Sequence, residues 1–241
     1  MTEQSQWNVR PHGQLTPVDD GLWVVDGEVR MPPGPLPRRM TIALLSGGEL
    51  VVFSAIALAE AEMAKVEALG RPAFLVVPNG WHRLDAAGWK ARYPGMVVVA
   101  PAGARAQVEE VVRVDDTSGD FGDGAVRFMP VPGTAGEAAL VVRRPAGTTL
   151  VINDLIGNVQ DARGIMKLAL VVMGFGGRRP QVPRAFKARA VTDAAAVAGR
   201  FREWAALPDL RRIVVSHGAI IEAEAAGVLR RLAEGLAPAK R

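Results

Sequence analysis

The stretch Ala73-Phe74-Leu75-Val76-Val77-Pro78-Asn79-Gly80-Trp81-His82 is the most informative part of this chain for its fold class. Its apolar half predicts a buried strand, and the turn residues that follow bring a histidine to the carboxyl end of that strand. Two later apolar runs end similarly, one at Asp154 and one at His217. Loops at such ends converge while the strands hold them rigid, so we expect His82, Asp154 and His217 to lie close together.

The first half of the chain changes from strand patterns to alternating strands and helices. The predicted strands share short β-branched or apolar runs and cover residues 22–29, 39–45, 49–53, 73–77 and 96–100. The proline-dense segment Met31–Pro37 predicts an extended loop. Ser54 is the predicted cap of a helix that ends at Gly70, and a short helix follows near 84–92. This order is typical of parallel strands joined by crossovers.

The second half returns to short strands and then becomes helical. Strands are predicted at 125–131, 138–143, 148–153 and 211–215, and helices near 160–173, 184–189, 192–206 and 220–236. These patterns predict two sheets packed face to face with helices outside, an α+β fold in one domain over 1–241 with a core at about 21–236. The apolar piece 164–175 predicts a helix that is buried or faces a second copy in a homo-oligomer; a membrane-contacting loop is the alternative.

Composition excludes several classes of protein. The absence of cysteine excludes disulfides, thiolate nucleophiles and iron–sulfur clusters, and it fits a reducing cytoplasm. The net charge of +4 comes from scattered arginines rather than a basic stripe, so no nucleic-acid partner is expected. No apolar run is long enough to cross a bilayer, and the first residues lack a secretory signal pattern. We therefore expect a soluble cytoplasmic protein.

The order of predicted elements resembles the metallo-β-lactamase fold, a four-layer αββα sandwich with a metal site at the edge between the sheets. Short motifs are similar to an uncharacterised subgroup of that superfamily, a domain of unknown function. These motifs are Arg39-x-Thr41, Gly47-Gly48-Glu49-Leu50, Pro78-Asn79-x-x-His82 with Trp89 and Tyr93-Pro94, and Asn153-Asp154 with Asn158. The likeness covers most of the chain, roughly 21–236.

Departures from the family pattern limit what the resemblance implies. In those hydrolases a His-x-His-x-Asp-His loop supplies most ligands of two zinc ions, whereas the equivalent loop here keeps only His82 and Asp85. The family histidine after a Pro-Gly pair is missing, since Thr134 follows Gly133. The bridging aspartate matches Asp154 and the last histidine matches His217. The resemblance thus implies at most one metal, held by His82, Asp154 and His217 with Asp85 as a helper.

Two interpretations of this residue set stay open. In the first, two imidazoles and a carboxylate hold one divalent ion (zinc, iron or manganese) with an open position for water. The protein is then a hydrolase of an unknown small molecule, inactive on β-lactams, with Asp154 and His82 as catalytic residues. In the second, no metal binds and the three side chains satisfy one another by hydrogen bonds. The protein is then a catalytically inactive binding or structural protein.

Two polar neighbours carry weaker expectations. Ser216 and His217 are adjacent, and adjacent side chains at a strand end point apart, which argues against a serine–histidine catalytic pair. Arg83 follows His82 directly and either steers an anionic substrate or is an ordinary surface arginine.

Overall fold

The computed structural model of the chain describes residues 7–31, 34–160, 168, 170–172, 174–175, 177 and 179–236. Its first sheet contains β1 (Thr16–Asp19), β2 (Leu22–Met31), β3 (Gly34–Leu44), β4 (Glu49–Phe53), β5 (Arg71–Val76) and β6 (Val97–Val99), in that order. The second contains β7 (Val126–Val131), β8 (Glu137–Arg144), β9 (Gly147–Asn158) and β10 (Leu210–Gly218), in the order β10-β9-β8-β7. The helices are α1 (Glu60–Leu69), α2 (Ala86–Arg92), α3 (Arg105–Glu109), α4 (Arg184–Ala190), α5 (Ala194–Ala205) and α6 (Ala225–Leu236).

Three apolar clusters show how these elements are layered. One cluster joins the two sheets and includes Phe53 and Val76 of the first and Leu140 and Val151 of the second. Another packs α1, α2 and α3 on the outer face of the first sheet, and a third packs α4, α5 and α6 on the outer face of the second. Successive strand residues serve opposite faces, as expected for the pleat. The predicted α+β, four-layer αββα sandwich is confirmed.

The pairing directions match the predicted change of pattern along the chain. Strands β1 to β4 pair antiparallel, and β5 and β6 add in parallel after the crossovers through α1 and α2. In the second sheet β7, β8 and β9 pair antiparallel and β10 adds parallel to β9. Two parallel neighbours, β9 and β10, therefore end at the same edge, where Asp154 and His217 lie.

Two local predictions are wrong. In the segment predicted as a loop, Met31–Pro37, the described residues are strand: Met31 ends β2, and β3 starts at Gly34 and pairs with β2, Pro35 opposite Arg30 and Pro37 opposite Glu28. Strand β4 pairs with β3 only from Thr41 onward, so the prolines, which lack an N–H, occupy a strand with a free edge. Ser54 does not cap a helix, since α1 starts six residues later at Glu60.

The predicted helix over 160–173 is only partly covered. Residues 161–167, 169 and 173 lie outside the described residues, while 168 and 170–172 are helical. Within the described ranges, no helix has the length and apolar character needed to cross a bilayer. The fold also uses residues before 21, since Trp7 donates from Nε1 to the carbonyl of Leu58 at 2.8 Å.

Candidate metal centre

The loop after β5 is held in shape by Asn79. Its Oδ1 accepts hydrogen bonds from the backbone N–H groups of Trp81 and His82, at 2.9 and 3.1 Å. Its Nδ2 donates to Glu137 Oε2 at 2.8 Å and to Asp154 Oδ2 at 2.7 Å. All four hydrogen-bonding positions of the amide are thus used, which fixes its orientation. Asn79 therefore couples the His82 loop to the strand that carries Asp154.

Asp154 lies within an irregular stretch of β9, whereas the sequence pattern places it at the end of a strand. Ile152 pairs with Val215 of β10 and Gly157 with His217, so four residues of β9 lie opposite one residue of β10. This irregularity interrupts the regular ladder at the edge of the sheet, where Asp154 faces two histidines. Asp154 Oδ1 is 2.8 Å from His217 Nε2 and 3.3 Å from His82 Nε2.

The Nδ1 atom of each imidazole, on the side of the ring away from Asp154, makes a contact that orients the ring. His217 Nδ1 lies 2.6 Å from the carbonyl oxygen of Pro37, and His82 Nδ1 lies 2.7 Å from Ser54 Oγ. A carbonyl only accepts, so His217 Nδ1 carries a hydrogen; with Ser54 accepting, His82 has the same tautomer. Both Nε2 atoms then present lone pairs to Asp154. Such bonds to the outer nitrogen are the usual way in which metal-binding histidines are oriented.

The three inner atoms, Nε2 of His82, Nε2 of His217 and Oδ1 of Asp154, lie close enough to share a proton or a metal ion. His217 Nε2 and His82 Nε2 are 3.3 Å apart, and a carboxylate oxygen lies 2.8 Å from the first. Neutral imidazoles would place three acceptors against one another, so either a proton or a metal ion must lie between them. Ligands 2.0–2.1 Å from a tetrahedral zinc are separated by roughly 3.3 Å. Two of the three separations have this value and the third, between His217 and Asp154, is shorter at 2.8 Å. The donor set of two nitrogens and one oxygen is one that a single divalent metal accepts.

The charge states of the buried groups agree with this arrangement. Burial lowers the pKa of His82, and Asp154 only partly offsets this, so the ring is neutral near pH 7. Burial raises the pKa of Asp154, but the adjacent imidazoles, when His82 or His217 carries the extra proton, attract and hydrogen-bond the carboxylate and hold its pKa well below its usual range. Burial and the charge of Asp154 raise the pKa of Glu137 well above its usual range. Of the two carboxyl groups, Asp154 is thus the one that ionises first, and Glu137 keeps its proton to higher pH.

The expected convergence of His82, Asp154 and His217 is confirmed, since one ligand atom from each lies within 4.8 Å of the others. Asp85 does not join this group. Its two oxygens bond to Arg38 at 2.6 Å and Arg10 at 3.1 Å, because both arginines lie next to this buried carboxylate. Asp85 is expected from the sequence to help to hold a metal ion; in the structure it instead forms ion pairs with Arg38 and Arg10 beside the site.

Arg83 and Ser216, the two other polar residues considered in the sequence, form no side-chain hydrogen bond or ion pair with the two histidines and Asp154 among the described residues. Arg83 binds the carbonyl of Gln107 and pairs with Glu110 at 2.7 Å, so the surface interpretation holds. Ser216 makes no hydrogen bond to His217 in the part of the chain that the structure describes.

Sequence reasoning missed Ser54, Asn79, Glu137 and Arg38 as parts of the site. Ser54 follows β4, a strand that carries no other polar signal at its end. Glu137 begins β8 directly after the turn in which the family histidine is missing, and nothing else in that turn points to a site. Ser54, Glu137 and Arg38 contact residues distant in sequence, which leaves no local signal. Asn79 does give a usable signal, because it lies in the His82 loop.

His82, Asp154 and His217, called the cluster below, lie at the floor of an open cavity of about 430 Å³. The described residues that line it, besides the triad and Ser54, are Val29, Gly34, Leu36, Arg38, Ala55, Trp81, Leu84, Leu170, Phe175, Ala185, Phe186 and Arg189. A cavity of this size with mostly apolar walls and a few convergent polar groups is typical of a small-molecule site.

The sequence matches no protein-family model, and no curated protein matches it significantly. Solved structures do resemble the chain. The metallo-β-lactamase FIM-1 of Pseudomonas aeruginosa, in its mono-zinc form, aligns over 97% of this chain and 100% of its own with 16% identity and a TM-score of 0.57. A metallo-β-lactamase of Hirschia baltica aligns over 93% and 98% with 14% identity and a TM-score of 0.61. One of Erythrobacter litoralis aligns over 92% and 96% with 17% identity and a TM-score of 0.59.

These likenesses establish the class of protein at the level of fold. The chain has the metallo-β-lactamase fold, and it carries a His/His/Asp group at the edge between its two sheets. At this identity the comparisons extend to architecture and not to activity.

Proposed function

We propose that this protein is a metal-dependent hydrolase that holds one divalent ion at His82, Asp154 and His217. The observation that carries this proposal is the approach of two imidazole nitrogens and a carboxylate oxygen to within 2.8–3.3 Å of one another at the floor of an open cavity. The similar FIM-1 structure, described as a mono-zinc form, supports a one-metal site on this fold. Zinc, iron(II) and manganese all accept this donor set.

The residues of this chain have distinct roles in such a site. A bound divalent ion supplies Lewis acidity, which lowers the pKa of water and polarises a carbonyl or phosphoryl oxygen. His82 and His217 would hold the ion through their Nε2 atoms, and contacts of the Nδ1 atoms with Ser54 and Pro37 orient the two rings. Asp154 is the one carboxylate among the described cavity-lining residues, and its Oδ1 would be the oxygen ligand of the ion. Asn79 engages Oδ2 of that carboxylate, which leaves its Oδ1 facing the histidines.

The second candidate function, an inactive binding protein, is favoured by one specific observation. If His217 is protonated, it donates from Nδ1 to Pro37 and from Nε2 to Asp154, and the cluster is satisfied without a metal. The cavity above it would then serve only to bind a ligand. The two proposals differ in what occupies the space among the three inner atoms.

Metal analysis of protein purified without a histidine tag separates the two. We expect about one equivalent of a transition metal per chain, lost in His217→Ala. His12→Gln is the matched control, since the partly buried His12 bonds to Gly13 and Ala59 and does not line the cavity. Retention of metal by His217→Ala, or failure of the wild-type protein to bind added zinc, would favour the inactive protein. Two tightly held ions per chain would contradict the one-metal site.

A further inference from the structure

The walls of the cavity above the cluster are apolar and aromatic. Trp81 packs edge-on against Phe186 with ring centroids 6.0 Å apart, and Phe175 packs edge-on against His217 at 5.2 Å. Trp81 and Leu84 remain 50% and 41% exposed at the mouth. Large apolar side chains left open to solvent around a cavity indicate that an apolar ligand covers them.

Arg38 introduces a buried cation into this apolar cavity. It lies on β3 with 8% of its surface exposed, and its Nη2 donates to Asp85 Oδ2 at 2.6 Å. Its Nε is buried and has no hydrogen-bond partner among the described residues. Buried N–H groups almost always have an acceptor, and an arginine N–H prefers a carboxylate or phosphate oxygen. Arg38 therefore brings a buried guanidinium group with an unsatisfied N–H to the wall of the cavity.

Asp85 does not neutralise this part of the cavity. It also pairs with Arg10 at 3.1 Å, so two guanidinium groups share one carboxylate and the trio carries a net positive charge. A further cation, Arg189, lines the cavity at an exposed position and has no ion pair in the described part of the chain. The one carboxylate among the described lining residues is Asp154, which is engaged by the histidines.

From these observations we propose that the ligand of this cavity is an amphipathic anion, with an apolar body against Trp81 and Phe186 and one compact carboxylate or phosphate head at Arg38. This names the substrate class and, for turnover, rests on the proposed hydrolase. The binding preference itself requires no metal, because Arg38 and the aromatic wall are present in the chain alone. Neutral and cationic molecules with the same body are poorer ligands.

Binding of eight-carbon probes to the metal-free full chain tests the proposal. Octanoate, octyl phosphate, octan-1-ol and octylammonium share one apolar body and differ in the head, and calorimetry gives each dissociation constant. We expect one or both anions to bind about tenfold or more tightly than the alcohol, as for a charge-assisted hydrogen bond, and octylammonium to bind weakest. The stronger of the two anions identifies the head.

Variants of Arg38 show whether this residue causes the preference for anionic probes. Arg38→Gln combined with Asp85→Asn removes both partners of the buried pair, and we expect it to abolish the preference for anions. Arg83→Gln is the matched control, because Arg83 is paired with Glu110 outside the cavity and its loss leaves the preference unchanged. If the double variant does not fold, Arg38→Lys keeps the charge beside Asp85 and should weaken octanoate binding measurably by loss of the fork geometry.

The outcomes separate this proposal from the hydrolase. Equal binding of octanoate and octan-1-ol, or an anion preference that survives in the double variant, overturns the assignment of Arg38 even if one metal is bound. An anion preference in a protein that never binds metal keeps the assignment and rejects the hydrolase.

Discussion

At the residue scale, Ser54 combines backbone strain with a contact to the cluster. Its φ of 56° lies in the left-handed region, which is uncommon for residues other than glycine and costs on the order of 1 kcal/mol or more. The conformation is held because Ser54 N–H donates to Val76 at 3.0 Å and its Oγ contacts His82 Nδ1. Strain at such a position indicates a residue retained for its side-chain contact.

We expect Ser54→Gly to leave the fold intact and to weaken metal binding. Glycine relieves the positive φ, so the free energy of unfolding should not fall, while loss of the hydroxyl leaves His82 without its orienting partner. Such partners change metal affinity by about 10- to 100-fold. Competition with a chromophoric chelator measures the affinity, and Ser54→Ala, which also lacks the hydroxyl but keeps a Cβ at this positive φ, is the comparison. Wild-type affinity in Ser54→Gly would show that the contact is incidental.

The buried Glu137 should make the free energy of unfolding of the metal-free protein depend on pH. Its pKa is raised well above the ordinary value by burial, so the folded state keeps a proton that the unfolded chain releases. The stability that this group contributes is full below the ordinary glutamate pKa of about 4.3 and is lost as pH rises towards the raised value. Asp154 and His82, with lowered pKa values, act in the opposite direction, and their contributions are lost as pH falls.

Glu137→Gln mimics the protonated acid, so the variant should not lose stability at this position as the pH rises. We expect its free energy of unfolding to exceed that of the wild type near pH 8 and the difference to shrink towards pH 5. Urea unfolding at several pH values gives both curves. A constant difference across this range would mean that Glu137 does not change its protonation on unfolding.

At the scale of elements, β3 positions the end of β10. Arg39 of β3 donates from Nη1 to the carbonyls of Val215 and Gly218, at 2.7 and 2.8 Å, and Pro37 accepts from His217. The proline-dense segment is thus a strand that orients a histidine of the other sheet. Gly218 follows that histidine with φ of 106°, and a Cβ there would lie 2.1 Å from the carbonyl oxygen of Asn158.

We expect Gly218→Ala to separate the ends of β9 and β10 and to displace His217. The positive φ and the backbone clash should together cost about 2 kcal/mol or more, with loss of metal affinity. Gly199→Ala is the matched control, since Gly199 lies in α5 with open space where the methyl group would point, and it should gain about 0.5–1 kcal/mol. Chemical denaturation and metal titration of both variants measure these effects. Unchanged metal affinity in Gly218→Ala would show that the end of β10 does not determine the position of the His217 side chain.

At the scale of the whole molecule, the two sheets share an apolar interface, and the candidate site draws one histidine from each half. His82 follows β5, whereas Asp154 and His217 belong to β9 and β10. The interface cluster uses side chains of both sheets, so neither sheet buries its inner face alone. The assignment of one cooperative domain over 1–241 is a prediction that follows from this arrangement.

We expect urea unfolding to be a single transition in which far-ultraviolet circular dichroism and tryptophan fluorescence coincide. Fluorescence reports on both halves, because Trp89 is buried against the first sheet and Trp204 against the second. Limited proteolysis should cut at 119–124, between the sheets, rather than within the paired residues 34–37. A stable fragment that ends near residue 120 would contradict the single domain.

The sequence by itself determined the layers and the convergence of three polar side chains. Alternation in the strands, the strand–helix order after residue 54 and the polar residues at the ends of apolar runs are local patterns, and they predicted two sheets, outer helices and the meeting of His82, Asp154 and His217. Only the tertiary structure decided how these residues are held. Pro37, Ser54 and Glu137 reach the cluster across 180, 28 and, through Asn79, 58 positions of chain, and Asp85 is withdrawn by two arginines. Such contacts depend on strand register and packing between sheets, which hydrophobic periodicity does not encode.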